Sequence, residues 1–229
     1  MIEKKDEQKI VKSITGLLVI LLVLITIFNT VQIYSMTNLT NTGAAVSSPS
    51  TQDSGQVDMS GIIPTGIPEN YGNDFGIQFD DVNPSDQRKA DEVIRKLAIV
   101  DTQTELQGPE LERYINILYH MDGGMSCEYC CGARSIIFEN GEMACGCAHS
   151  FAMRGVAKHL IVEYGDIYSD REIMEEVAKW KVLFFPGQMT SKAKVMESEG
   201  IEMTYSNLGA NTYRGIEQGQ TSGGMVGGC

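Results

Sequence analysis

The chain is poor in basic residues. Only 18 of its 229 residues are Lys or Arg, against 30 Asp and Glu, which gives a net charge of −12. A nucleic-acid partner requires clustered positive charge to meet its phosphates, so this balance argues against nucleic-acid binding. The chain also lacks a phosphate-binding loop, a Ser/His/Asp triad and a metalloprotease signature, and it gives no direct indication of an enzyme.

Charge is missing altogether from residues 13–52, and within them residues 14–34 are mostly apolar. A helix over these residues would be about 30 Å long, the thickness of a bilayer core. Lysines precede it at Lys4, Lys5, Lys9 and Lys12. This pattern predicts a single transmembrane anchor at 14–34, with residues 1–13 in the cytoplasm and the rest of the chain outside the cell. A cleaved signal peptide is the alternative, although this apolar core is long for one.

Four helices and a shorter fifth are predicted after the anchor. Residues 35–83, rich in Ser, Thr, Gly and Pro at their start, read as a flexible linker and strap, and 84–200 as a helical domain. Capping residues around Asp86, a first-turn Pro109 and a capping box at Ser169 mark three helix starts, and a further helix is predicted over 148–164. A shorter helix is predicted over 191–199, and 201–229 read as a glycine-rich tail that ends in Cys229.

Cysteine is absent before residue 127, and then five of the six cysteines fall within 21 residues. The motif is formed by Cys127, Cys130, Cys131, Cys145, Cys147 and His149. Between its two arms, Asn140-Gly141 is typical of a two-residue type I′ turn, which predicts a small β-hairpin in which Glu139 pairs with Glu142. Such a hairpin would bring the two cysteine arms together as ligands of one metal module.

Thiolate and imidazole ligands favour zinc or copper(I) over calcium or magnesium. Six candidate ligands exceed the four of one tetrahedral zinc, so either some are spare or more than one metal binds. Disulfides between the two arms are the main alternative, because the predicted location is oxidising. A thiol–disulfide exchange site is a weaker alternative, since Cys127-x-x-Cys130 does not lie in a βαβ unit.

Three further residues are candidate ligands: Cys229 and Met225 in the tail, and His120, seven residues before Cys127. A flexible tail could bring the first two to the cluster, and His120 could support it from the end of a helix. His159 is expected to be a surface or satisfied residue. Asp101 and Glu105 have helical spacing and are expected on a solvated face.

The segment from Cys145 to Ser150 (CGCAHS), with a downstream helix entered at Ser169, resembles the PCYCGC-motif proteins. The resemblance implies export, a membrane tether and a metal-binding role for Cys145, Cys147 and His149. The Pro-Cys-Tyr lead of that motif is missing here, and Cys130-Cys131 arrives separately.

The sequence therefore predicts a mainly α fold with one small β-hairpin, an N-terminal single transmembrane helix and a compact helical outward-facing domain. The favoured function is a membrane-anchored metal-binding protein that uses the Cys/His cluster for zinc or copper. The alternatives are a disulfide-stabilised interaction module and a thiol–disulfide oxidoreductase.

Overall fold

Seven α-helices, built on apolar stripes of helical spacing, make up about half of the part of the chain that is described. The computed structural model describes residues 61–217 and Val226. The α-helices are α1 (Gly72–Phe75), α2 (Gln87–Gln103), α3 (Gly108–Ile115), α4 (Ala148–Tyr164), α5 (Asp170–Phe184), α6 (Pro186–Ser198) and α7 (Tyr205–Gly209). One turn of π-helix (Asn116–His120) follows α3, and short 3₁₀ turns lie at Phe79–Asp81, Met121–Gly123 and Asn211–Tyr213.

Local capping chemistry sets the helix starts, as the sequence predicted. The Asp86 carboxylate accepts a hydrogen bond from the backbone N–H of Lys89 at the start of α2. Ser169 and Glu172 form the reciprocal capping box of α5. Pro109 lies in the first turn of α3, where its missing N–H has no intrahelical partner to lose.

Helix α4 is the central element, and a glycine lets α2 approach it closely. Residues on several faces of α4 are buried, among them Met153, Val156 and Leu160. A Cβ atom at Gly155 would lie 2.0 Å from the carbonyl oxygen of Leu97 in α2. Only a residue without a side chain permits this crossing, so Gly155 sets the position of α4, whose first residues enter the cysteine cluster.

The segments at both ends of the described range pack into the core. Residues 61–83, which belong to the predicted linker and strap, bury Tyr71, Ile77 and Phe79. The Tyr71 hydroxyl donates to the Glu176 carboxylate and accepts from the indole N–H of Trp180. Within the predicted tail, α7 buries Leu208, and Val226 is 1% exposed.

A buried ion-pair network ties α2, α4 and the cysteine segment together. The Arg154 guanidinium in α4 donates through Nε to Asp101 of α2 (2.8 Å) and through Nη1 to the carbonyl oxygens of Ile136 (3.2 Å) and Cys145 (2.8 Å). Lys158 Nζ lies 2.9 Å from the other carboxylate oxygen of Asp101. The expectation that Asp101 lies on a solvated face is thus wrong: the residue is buried because its two cationic partners lie on a helix that packs against it.

The predicted β-hairpin is wrong. Between residues 61 and 217 the backbone forms no strand, only isolated bridges such as Ile137 with Met143. The chain turns through residues 138–141, with Gly141 N–H bonded to Phe138 O and Gly141 at φ +84°. A type I′ turn at Asn140-Gly141 would need positive φ at Asn140 too, but among the described non-glycine residues only Asn70 and Asp122 have it. The longer turn shifts the predicted pairing by one residue.

The prediction of a single-pass membrane protein is not supported by the structure. None of the helices from residue 61 to residue 217 combines the length and the apolar character needed to cross a bilayer. The predicted anchor at 14–34 and the predicted cytoplasmic segment 1–13 lie outside the described residues, as does most of the predicted linker.

Candidate metal centre

Residues 124–147, which connect the 3₁₀ turn after α3 to the start of α4, carry all five described cysteines of the predicted motif. Isolated backbone hydrogen bonds join neighbouring stretches of the segment: Ile136 N–H donates to Met125 O, and Ala144 N–H donates to Ile136 O. Gly124 allows the chain to turn from the 3₁₀ helix into this segment. A Cβ at this position would lie 2.5 Å from Leu118 O, and the φ of Gly124 is +85°. The segment is therefore folded without a regular sheet, on few backbone contacts.

A tight turn brings the first cysteine arm back on itself. Cys127 bridges Ala133, and Gly132 N–H donates to Cys127 O (3.0 Å) at a glycine φ of +72°. This turn places Cys131 beside Cys127, with its Sγ 3.8 Å from the Cys127 carbonyl oxygen. The second arm, Cys145 to Cys147, runs directly into the first turn of α4.

Four thiols from the two arms converge. The sulfur atoms of four cysteines all lie within 4.8 Å of one another: Cys127, Cys131, Cys145 and Cys147. The sulfurs of Cys127 and Cys147 are 3.2 Å apart, far beyond the roughly 2.05 Å of a disulfide bond. Sulfurs around a tetrahedral zinc, at about 2.3 Å from the metal, lie about 3.8 Å apart. We call these four residues the four-thiol site. Their sulfurs would reach the spacing found around a zinc ion by shifts of a few tenths of an ångström to about 1 Å.

A second group shares one of these thiols. Cys130, Cys147 and His149 also place one ligand atom each within 4.8 Å of one another. His149 is fully buried in the first turn of α4, and its ring stacks against Phe184 (4.8 Å) and Phe185 (5.0 Å between centroids). Its Nε2 lies 2.9 Å from the carbonyl oxygen of Val226, which can only accept. Nε2 therefore carries a proton when it donates to this carbonyl.

The helix start favours a thiolate at Cys147. Hydrogen bonds from the Cys127 thiol, and then from His149 and Ser150, lower the pKa of Cys147. Cys147 is the N-cap of α4, so the positive end of the helix dipole acts in the same direction. The neighbouring thiols respond in the opposite sense: donation to Cys147 and burial raise the pKa of Cys127, and burial raises the pKa of Cys145 to about 11. A metal ion would displace these protons, because thiolates are its ligands.

A buried cluster of cations adjoins the four-thiol site, and the sequence analysis missed it. Glu128 follows Cys127 and lies 3.1 Å from Lys181, 3.6 Å from Arg214 and 3.9 Å from Lys192. Both lysine side chains are fully buried, and burial lowers the pKa of each. One signal could have found Lys181, since it lies four residues after Val177 on the apolar side of α5.

The other candidate ligands are not found in either group of the described residues. His120 lies at the end of the π-helical turn, edge-on to Tyr119 (5.2 Å between centroids), and belongs to neither group of ligands. Met225 and Cys229 lie outside the described residues. Val226 between them is held against the centre, since it donates to Phe184 O and accepts from His149. His159 is satisfied, as expected, by the carboxylate of Asp74 at 2.9 Å.

In comparisons with known proteins, no family model, no curated protein and no solved structure matches the chain. The resemblance of Cys145 to Ser150 to the PCYCGC motif stays a prediction. What the residues themselves establish is a Cys/His cluster that could hold a metal ion, made of one group of four thiols and one group of two thiols and an imidazole.

Proposed function

We propose that this protein binds zinc in the four-thiol site and that the metal holds residues 124–147 in their fold. The observation that carries the proposal is the convergence of four thiols, none in a disulfide, within 4.8 Å in a segment without regular secondary structure. Closed tetrahedral sites of four cysteines are characteristic of structural zinc. Here the ion supplies the cross-links that strands would otherwise provide.

Copper(I) is the competing ion, because it also prefers soft sulfur ligands. The methionines around the motif are the feature that distinguishes the two metals. Met125 and Met153 are fully buried members of the hydrophobic core, whereas Met143 is half exposed. Since the first two have a packing role, these thioethers add little to the case for copper, and a four-thiolate zinc site is favoured.

A thiol–disulfide oxidoreductase is the second candidate, and one observation favours it. Cys147 caps a helix and has a lowered pKa, and the buried Cys127 sulfur lies 3.2 Å away. A nucleophilic thiolate beside a buried partner thiol is the arrangement of dithiol redox pairs. Oxidation of the pair would form one S–S bond and pass two electrons and two protons to a disulfide substrate, which would become a dithiol; a dithiol substrate would drive the reverse step.

Elemental analysis of the full chain, purified without added metal, combined with a count of free thiols, tests both candidates. We expect about one equivalent of zinc or more, and reduced thiols that react only after chelation or denaturation. A protein without bound metal in which Cys127 and Cys147 are oxidised would instead support the redox candidate. The zinc proposal would be contradicted by protein that contains no metal, has all thiols free and keeps the same melting temperature when zinc is added.

Two variants separate the four-thiol site from the rest of the motif. Cys145→Ser removes a buried ligand, and we expect it to abolish the structural metal and to expose residues 124–147 to proteolysis. Cys130→Ser is the matched control, because it changes the same atom in the same segment but lies outside the four-thiol site. Equal exposure of residues 124–147 to proteolysis in both variants would show that the four-thiol site is wrongly assigned, because only that site is proposed to hold the fold of the segment.

A further inference from the structure

Cys147 belongs to both groups of ligands, and this double membership is the starting point. The four-thiol site uses its sulfur as one of four, and the Cys130–Cys147–His149 group uses it as one of three. A tetrahedral zinc in the four-thiol site has no coordination position left for Cys130 or His149. Each of those two side chains nevertheless places a ligand atom within 4.8 Å of the same sulfur.

We infer that the Cys147 thiolate bridges two metal ions. The first lies in the four-thiol site, and the second is held by Cys130, Cys147 and His149, as a soft ion of the same class, Zn²⁺ or Cu⁺. The inference rests on the proposed function, since it needs the four-thiol site to be a metal site, but it adds a second ion that this function does not require.

The imidazole is oriented for a ligand bond without the help of a metal. Its Nε2–H donates to Val226 O, its ring packs against Phe184 and Phe185, and the side chain hydrogen-bonds to Cys147. A metal ion held between Cys147 and the ring would replace that hydrogen bond. Metal-bound histidines characteristically donate their other ring N–H to a carbonyl or carboxylate in this way. The backbone of Val226 thus performs the supporting role that a metal-bound histidine needs.

Charge favours the second ion as well. Five thiolates around one divalent ion would carry a net charge of about −3, and a second divalent ion lowers this to about −1. Cys127 and Cys145 are buried, so a large uncompensated charge at this place is costly. The adjoining cluster of Lys181, Lys192 and Arg214 is already partly neutralised by Glu128 and cannot balance the thiolates alone.

The two ions differ in what surrounds them. The four-thiol site is closed by its protein ligands, whereas the described residues supply three ligands to the second ion. Because only the four-thiol site is proposed to hold residues 124–147, loss of the second ion should leave the fold in place.

Stoichiometry and cadmium spectroscopy on the full chain test the inference. We expect wild-type protein to bind about two equivalents of Zn²⁺, and His149→Gln and Cys130→Ser to bind about one with unchanged circular dichroism and melting temperature. His120→Gln, a histidine outside both groups, is the matched control and should keep both equivalents. If His149→Gln fails to fold because its ring is buried, Cys130→Ser still answers the question.

Substitution with ¹¹³Cd tests the bridge directly, because two cadmium nuclei couple through a shared sulfur. Two resonances that split each other in wild type, and one unsplit resonance in Cys130→Ser, are the expected result. Two unsplit resonances would overturn the bridge, and a single equivalent in wild type that neither variant reduces would overturn the second site while leaving the four-thiol site in place. Protein that binds no metal at all would overturn the proposed function itself.

Discussion

Asp101→Asn should be strongly destabilising, because it removes the carboxylate between two buried cations without changing the size of the side chain. The Asp101 side chain is 7% exposed, and those of Arg154 and Lys158 are 1% and 16% exposed. Loss of one partner from a buried ion pair costs about 3–5 kcal/mol, since the remaining charge stays buried without compensation. Lys158 keeps its hydrogen bonds to the carbonyl oxygens of Asp101 and Thr104, so we expect the lower end, about 3 kcal/mol.

Urea unfolding of the metal-loaded protein, followed by circular dichroism, measures this loss of free energy, and thermal unfolding measures the matching shift in melting temperature. At about 2–4 °C per kcal/mol for a domain of this size, the melting temperature should fall by about 6–12 °C. Glu92→Gln is the control, because its partner Lys96 lies 3.5 Å away with both side chains more than a third exposed. An exposed pair of this kind contributes about 0–0.5 kcal/mol.

The double variant Asp101→Asn/Arg154→Met provides the decisive comparison. Removal of both charges should cost less than Asp101→Asn alone, because the uncompensated cation is gone, although the carbonyl oxygens of Ile136 and Cys145 lose their donor. If Asp101→Asn costs no more than Glu92→Gln, the network is not a buried ion pair in solution and the reasoning is refuted.

Three further changes have defined outcomes. Gly155→Ala should lower the free energy of unfolding by about 1–3 kcal/mol, since its Cβ would meet Leu97 O at 2.0 Å, and a stability at or above wild type would disprove the close crossing. Burial and then the neighbouring Lys181 lower the pKa of Lys192 to about 8, so between pH 8 and 10 the unfolded chain holds more protons and stability should rise with pH, by about 2 kcal/mol. Lys192→Met should flatten that rise, and an unchanged slope would assign it to other groups. Ser169→Ala should cost about 1 kcal/mol in thermal unfolding through loss of the capping box, and no measurable change would show that solvent replaces it.

Features encoded within a few residues were predicted well. The third predicted helix, 148–164, has the bounds of α4, and α5 begins at the Ser169 capping box. Both signals act over one or two helical turns, so the sequence contains all the chemistry involved. Pro186 follows the end of α5 and begins α6, because a proline is as acceptable in a first turn as it is disruptive in an interior.

The hairpin failed because its signal was ambiguous by one residue. Asn-Gly allows a two-residue turn, but it also allows a longer turn in which only Gly141 has positive φ, and the backbone takes the second course. Residues 124–147 form few backbone pairs, and Arg154 binds the segment from outside through the carbonyl oxygens of Ile136 and Cys145.

The sequence predicts which residues form the candidate centre, but it does not predict how they are grouped. Clustered cysteines indicate a metal site from spacing alone, but the division into two groups that share Cys147 depends on the three-dimensional path of both arms. The partners of Asp101 and Lys181 were hidden for the same reason. Asp101 meets Arg154 across 53 residues and Lys181 meets Glu128 across 53, and no local pattern reports such distances.

The same contrast in sequence separation bears on the order in which the protein folds. Cys127 and Cys147, at opposite ends of the four-thiol site, are only 20 residues apart, so the entropy lost in closing that loop is small. If the proposed metal binds, it can therefore meet its thiols before α2 and α4 pack together, and the carbonyl oxygens of Ile136 and Cys145 are then in place for Arg154. A metal that also binds these nearby thiols in the unfolded chain would raise the equilibrium stability less than one that binds only the folded protein, and it would speed folding if its site forms early.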